Sequence, residues 1–377
     1  MINQRQTIFW SGVFVVLGLA LYELRGVTLP FAAGIALGYL LDPAARMLQR
    51  LGLSRTWATI LILLAMTVLL VAAVLLIGPV LGRQLAGFLD HLPTYVQKLQ
   101  DLAATQVGAF SEKYGNTILE KFGMTTGPGG SFDVQKTFTD FAGQATQWAI
   151  SFVRSLISGG AALISLASLL VVTPVVAFYI LIDWDEMVAT IDSLLPVAQR
   201  ETIHGIARDI DRALAGFIRG QSLVCLILGL WYGLGLSLIG LNFGFLIGFS
   251  GGMLSFIPYV GSMIVLVLSL IIAIVQGWPS WTLTLMAMGV VGAGQFLEGN
   301  VLSPKLVGAS VGLHPVWLMF ALLAFGSIFG FLGLLIAVPV SAAIGVLVRF
   351  AFARYRQSDY YLGPQAGSAE NEILAHD

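Results

Sequence analysis

Apolar residues gather into eight runs, near 8–22, 27–41, 57–82, 147–182, 217–241, 243–275, 281–299 and 314–348. A helix that crosses a bilayer needs about 20 such residues. The first two runs are short, and Pro30 and Gly34 interrupt the second. They read as short spans or as a helical hairpin dipping into the membrane. Run 57–82 is long enough to cross with tilt. Runs 243–275 and 314–348 are too long: the first would reach about 50 Å as one helix, against a hydrocarbon core of about 30 Å.

Both over-long runs are interrupted near the middle. The first reads Gly-Phe-Ser-Gly-Gly-Met-Leu-Ser-Phe-Ile-Pro-Tyr-Val-Gly at 248–261, and the second Phe-Gly-Ser-Ile-Phe-Gly-Phe-Leu-Gly at 325–333. Paired segments broken by glycine and proline point to a transporter binding site, because opened backbone offers N–H and C=O groups to a solute. Gly251, Gly252, Gly261, Pro304, Gly330 and Gly333 are the expected hinges. The competing reading is a kinked helix whose glycines serve close packing. If each run crosses once, residues 300–313 lie outside; if both double back, they lie inside.

Charge sets the expected orientation. Loop 42–56 carries Arg46, Arg50 and Arg55 against Asp42, and the C-terminal flank carries Arg349, Arg354 and Arg356. Positive flanks stay inside, so both termini are expected in the cytoplasm. Arg5 before run 8–22 resembles a secretory signal, but no small-x-small site follows, and the run reads as an uncleaved span. The expected organisation is N-terminal membrane helices at 1–82, an extracytoplasmic helical subdomain at 83–146, a membrane helix at 147–182, a cytoplasmic amphipathic region at 183–216, a membrane transport core at 217–350 and a disordered tail at 351–377. Two amphipathic stripes support the subdomain: Leu85, Phe88, Leu89, Leu92, Val96, Leu99 and Leu102, then Phe138, Phe141, Ala142, Ala145 and Trp148, with a Gly-Pro-rich turn at 125–130 between them. In 183–216, Pro196 breaks the chain, and Ile203, Ile206, Ile210, Leu214 and Phe217 then form a stripe that runs into the next span.

Composition narrows the function. The chain is 57% hydrophobic and 10% charged, where soluble domains carry about 25% charged residues. This is an all-α polytopic membrane protein, with the lipid bilayer as its first partner. Its net charge of −1 argues against nucleic acid. The single cysteine, Cys225, has no intrachain partner. No metal-ligand cluster, phosphate-binding Walker loop or nucleophile elbow is present in the sequence, so no enzyme activity, cofactor, metal or ATP-driven pump is expected.

The polar residues left at membrane depth are the candidate site, since charge there is expensive and marks function. Gln295 and Glu298 are three apart and share a helix face. Lys305 would fall near that face if the helix continued, which Pro304 argues against. Asn300 lies between them. Glu298 is the best-placed carboxylate for ion or proton coupling. Upstream, Asp211, Arg219 and Gln221 occupy the start of run 217–241. Arg219 reads either as an interfacial anchor or as a gate salt bridge, and Asp211 as a partner of Arg208, Arg212 or a charge on another helix. Pro258 and Tyr259 sit in the first broken segment. The stretch 295–315 reads as a hinge or pore rim.

These stretches resemble the AI-2E family of bacterial membrane proteins. The resemblance rests on Pro-Phe-Ala-Ala-Gly-Ile-Ala-Leu-Gly-Tyr-Leu-Leu-Asp-Pro at 30–43, Phe-Ile-Arg-Gly-Gln at 217–221, Ile-Pro-Tyr-Val-Gly at 257–261, residues 295–308, Val-Gly-Leu-His-Pro at 311–315 and Ala-Val-Pro at 337–339. It implies a secondary carrier of the bacterial cytoplasmic membrane, and a homo-oligomer with a pentamer as the candidate state. It also implies a small polar solute such as autoinducer-2, or a monovalent cation exchanged for protons, as cargo. A non-transporting scaffold that docks partners through 83–146 is the third reading.

Overall fold

The computed structural model describes residues 25–110, 160–308 and 314–362. The described residues form helices and their connections, with no strand among them. They are α1 (Arg25–Arg50), α2 (Arg55–Phe110), α3 (Gly160–Ser193), α4 (Arg200–Leu238), α5 (Gly244–Leu254), α6 (Val260–Gly277), α7 (Thr282–Leu297), a π-helix (Glu298–Val307), α8 (Pro315–Arg356) and the short α9 (Asp359–Leu362). Six stretches are long and apolar enough to cross a membrane: Thr28–Arg50, Arg55–Leu102, Val197–Leu238, Val260–Gly277, Thr282–Val307 and Pro315–Arg356. Run 8–22, the turn at 125–130 and the second amphipathic stripe at 138–148 lie outside the described residues.

Two expected boundaries fall inside helices. The span at 57–82 and the first amphipathic stripe are one helix: α2 has 56 residues, about 84 Å of continuous helix. No glycine-rich turn or helix stop separates the two parts, and Pro79 and Pro93 are accommodated within it. The expected tail begins with helix, since α8 runs to Arg356 and α9 follows, with Tyr361 packed edge-on to Tyr355. Elsewhere the punctuation falls as the residue types require. Pro196 sits between α3 and α4, ahead of a short 3-10 turn.

The chain divides into two compact units. In the first (residues 1–67, 168–224 and 298–377), α1 lies on α3. Gly34 and Gly38, one turn apart, face Val176 and Ile180, so the small-xxx-small spacing lets two backbones approach. The Thr173 hydroxyl donates to the Pro30 carbonyl across the same seam at 3.3 Å. Ala45, Ile62 and Leu181 form one small buried cluster, and Ala213, Ala342 and Val346 another between α4 and α8.

In the second unit (residues 68–167 and 225–297), α5 crosses the later part of α4. Gly244, Gly248 and Gly252 repeat every four residues and press on the backbone of Leu236, Tyr232 and Gly229. The α5–α6 pair is a hairpin. In one straight helix residues 251 and 265 would lie about 21 Å apart, yet Gly251 touches Val265 and Gly261. The base of the hairpin is closed by Gln276, whose side chain accepts from the Asn242 amide and donates to the Gly240 carbonyl, each at 2.8 Å. The Asn242 side chain donates to the Tyr95 hydroxyl at 3.0 Å, and the Phe243 ring meets Phe88, His91 and Tyr95 of α2.

The second over-long run also doubles back. Gly330 has φ 62° and ψ −137°, backbone that essentially only glycine adopts. Beyond it Gly333 lies against the Phe325 carbonyl and Gly326 against Leu334. A straight helix would hold residues 325 and 333 about 12 Å apart.

Candidate functional site

Arg219 is the hub of a polar cluster in the first unit. Its Nε donates to the Tyr39 carbonyl at 2.8 Å, and its Nη2 pairs with Asp42 at 3.3 Å. The partners sit on α1, almost 180 positions away in sequence, so the guanidinium ties α4 to α1. Asp42 also accepts from Arg46 at 3.0 Å, one helical turn on. The Asp211 carboxylate is a hydrogen-bond partner of the Tyr39 hydroxyl. Arg219 thus makes an ion pair between two helices. Arg212 pairs with Asp209 at 3.3 Å, and Asp211 turns to another helix. Arg55 pairs with Asp185 and donates to the Leu181 carbonyl at 2.7 Å, holding the start of α2 to α3.

Gly220, next to Arg219, lies against the Leu306 carbonyl with no room for a Cβ. This contact brings the stretch 217–221 onto the end of the segment Glu298–Val307. Leu306 therefore sits beside the Arg219–Gln221 stretch of α4. Gln221 is 7% exposed and engaged in polar contact.

The helix does not stop at Pro304. It continues from α7 as a π-helix over Glu298–Val307 with Pro304 inside it. A proline removes one rung of the ladder and crowds the preceding turn; the wider coil absorbs both without ending the helix. π-helical turns are rare and concentrate at functional sites. The change of coil also changes which residues share a face, so Lys305 does not follow the α-helical register expected from Gln295 and Glu298. Glu298 is half-buried at the start of this segment, while Asn300, Pro304 and Lys305 are exposed. His314, the next described residue, caps α8, its Nδ1 accepting from the Val316 amide at 3.4 Å.

The remaining candidates belong to the second unit. Gln295 is exposed on α7. Pro258 and Tyr259 form the α5–α6 turn, with Tyr259 in the left-handed region at φ 67° and mostly exposed. Gly251, Gly252 and Gly261 are buried at helix–helix contacts with no positive φ. Among the proposed hinges, Gly330 alone has a positive φ, and Pro304 lies within the π-helix.

Tyr39 and Asp42 were not singled out by the sequence as site residues. The available signal was Asp42 at the end of an apolar run, before Pro43. Among the described residues no three His, Cys, Asp or Glu side chains gather as a metal set.

Comparison with known proteins matches the AI-2E family transporter model over residues 12–352. The candidate transport protein YrrI of Bacillus subtilis is 30% identical over 90% of this chain and 89% of its own. The candidate transport protein YueF of the same organism is 27% identical over 83% of this chain and 80% of its own. The candidate permease PerM of Escherichia coli K12 is 25% identical over 89% of this chain and 91% of its own. A multi-pass helical membrane architecture, two doubled-back apolar segments and a family match across nearly the whole length agree: the chain belongs to the AI-2E transporter family.

Proposed function

We propose that this protein is a secondary transporter of a bacterial cytoplasmic membrane that exports a small hydrophilic solute of the autoinducer-2 kind. The observation that carries this reading is the π-helix seated on Gly220. It gathers irregular backbone, the half-buried Glu298 and the Arg219–Gln221 stretch within one unit. Neutral polyols need many hydrogen-bonding groups and little net charge, which Gln221, Asn300 and loosened backbone provide. Within this unit Lys305 and the Asp42–Arg219 pair lie on the solute's route; Gln295, Pro258 and Tyr259 are proposed as pathway residues of the other unit, and each doubled-back segment acts as a gate in its own unit. Both termini and residues 183–216 are cytoplasmic, 83–146 forms an extracytoplasmic subdomain, and the working form is a homo-oligomer. Vesicles holding the pure protein are expected to pass autoinducer-2-like polyols faster than empty vesicles, with Gly220→Ala abolishing the difference. Equal flux with and without protein would sink the reading.

One observation favours cation/proton antiport as a second reading. Glu298 is half-buried in an apolar stretch, and no described cation pairs with it. Exchange of Na⁺ or Li⁺ for protons would use this carboxylate, so Glu298→Gln should abolish cation-driven proton movement in vesicles while sparing polyol flux. Unchanged exchange in that variant removes Glu298 as the coupling group.

A further inference from the structure

A cleft of about 780 Å³ opens between the first turns of α4 and the last turns of α8, within one unit. Its volume lies in the range of small-molecule sites. The wall is apolar, built from Ile206, Val346 and Phe350. Three charges line it: Arg212, Arg349 and Asp209. Arg212 is held by Asp209 at 3.3 Å, whereas no described acid pairs with Arg349. The α8 end is basic throughout, carrying Arg349, Arg354 and Arg356 with no acid from 315 to 358.

We infer that this cleft holds an acidic phospholipid, its phosphate between Arg349 and Arg212 and its glycerol and acyl carbons along Ile206, Val346 and Phe350. The cleft lies where the apolar part of α8 gives way to its basic flank, the level at which a bilayer presents its headgroups. A soluble phosphate ester matches the two arginines but has no use for the apolar wall. A zwitterionic lipid matches the wall but brings a cation to the free arginine. Only an anionic amphiphile satisfies both. Asp209 tunes the site, because a phosphate must compete with it for Arg212.

The test is native mass spectrometry on the full chain, delipidated in detergent and offered dioleoyl phosphatidylglycerol or dioleoyl phosphatidylcholine. The wild type is expected to retain the anionic lipid preferentially. Arg349→Gln should lower that retention about fivefold, the effect of ~1 kcal/mol per basic residue at a membrane surface. Asp209→Asn should raise it by freeing Arg212, a gain that damage to the fold would not produce. Arg356→Gln, on the same flank but outside the lining, should leave it unchanged. Equal retention of the two lipids, no loss in Arg349→Gln together with no gain in Asp209→Asn, or equal losses in Arg349→Gln and Arg356→Gln overturns the assignment. Displacement of the lipid by an equal concentration of glycerol 3-phosphate assigns the cleft to a soluble phosphate ester and also overturns it.

Discussion

Between Gly244 and Gly277 the chain folds back through residues 255–259, and Gln276 ties the open end with two neutral hydrogen bonds. Between Pro315 and Arg356 it folds back at Gly330, and the contacts nearest the bend are backbone against backbone. The first hairpin is fastened at its base; the second is shaped at its tip. The units that contain them differ in the same way. Six ion pairs lie in the unit of Arg219, while around α5 and α6 the other unit is held by glycine contacts and neutral hydrogen bonds. Two routes to a doubled-back segment imply two kinds of vulnerability: steric around α5 and α6, steric and electrostatic around Arg219.

The largest effect is expected where a side chain must enter a backbone contact. Gly252→Val would drive a branched side chain into Gly229 and Leu228, an overpacking cost of about 3 kcal/mol or more. Gly289→Val, on α7 with open space around it, is the matched control. Size-exclusion profiles and melting in detergent should show loss of folded protein for the first and little change for the second. Comparable behaviour of the two would mean that the α4–α5 glycine seam does not hold this unit together.

Next comes the bend itself. Gly330→Ala forces an L side chain into φ 62°, ψ −137° at a cost of about 1–3 kcal/mol. There is no steric contribution, because nothing lies within reach of a new Cβ. Tyr259 already occupies φ 67° without being glycine, so Tyr259→Ala should be far milder. If Tyr259→Ala proves the more damaging by melting temperature, the tip-shaped description of α8 fails.

The base of α5–α6 gives a smaller signal. Gln276→Ala removes a donor and an acceptor at an exposed site, about 1 kcal/mol of stability. Its more specific effect is kinetic: amides at 240–243 should exchange faster with solvent deuterium while those of α8 stay as they were.

These contrasts explain how far the sequence could be read. Residue counting located both broken segments, because a run far longer than the bilayer must bend and glycine marks where. It could not tell a kink from a reversal, because Gly251 and Gly330 look alike on paper. One faces a partner helix and the other has no neighbour but an unusual φ. Family membership was legible in the ordered motifs. The cluster around Arg219 was half legible: the cation was visible, but its partners on α1 became neighbours only through tertiary folding. Pro304 misled, because its local preference to end a helix was outweighed by a widened coil. The continuity of α2 was missed because the turn from apolar to amphipathic pattern is a change of surroundings, not of backbone.

The Arg219–Asp42 pair tests the electrostatic half of the comparison and carries the smallest effect. Both side chains are partly exposed, 38% and 27%, so solvent screens the attraction and the coupling should be only about 0.5–1 kcal/mol. A double-mutant cycle of Arg219→Gln and Asp42→Asn, read by melting temperature in detergent, isolates it. Raising salt from low to near-molar should shrink the coupling, since the Debye length falls from about 30 Å at 0.01 M to 3 Å at 1 M. The Nε bond to the Tyr39 carbonyl is less salt-sensitive, so Arg219→Gln should stay destabilising after the coupling has vanished. Gln276→Ala, which removes only neutral hydrogen bonds, should respond equally at both salt levels. A salt-independent Arg219–Asp42 coupling would mean that packing, not charge, joins α4 to α1, and the electrostatic contrast between this pair and the Gln276 bonds would disappear.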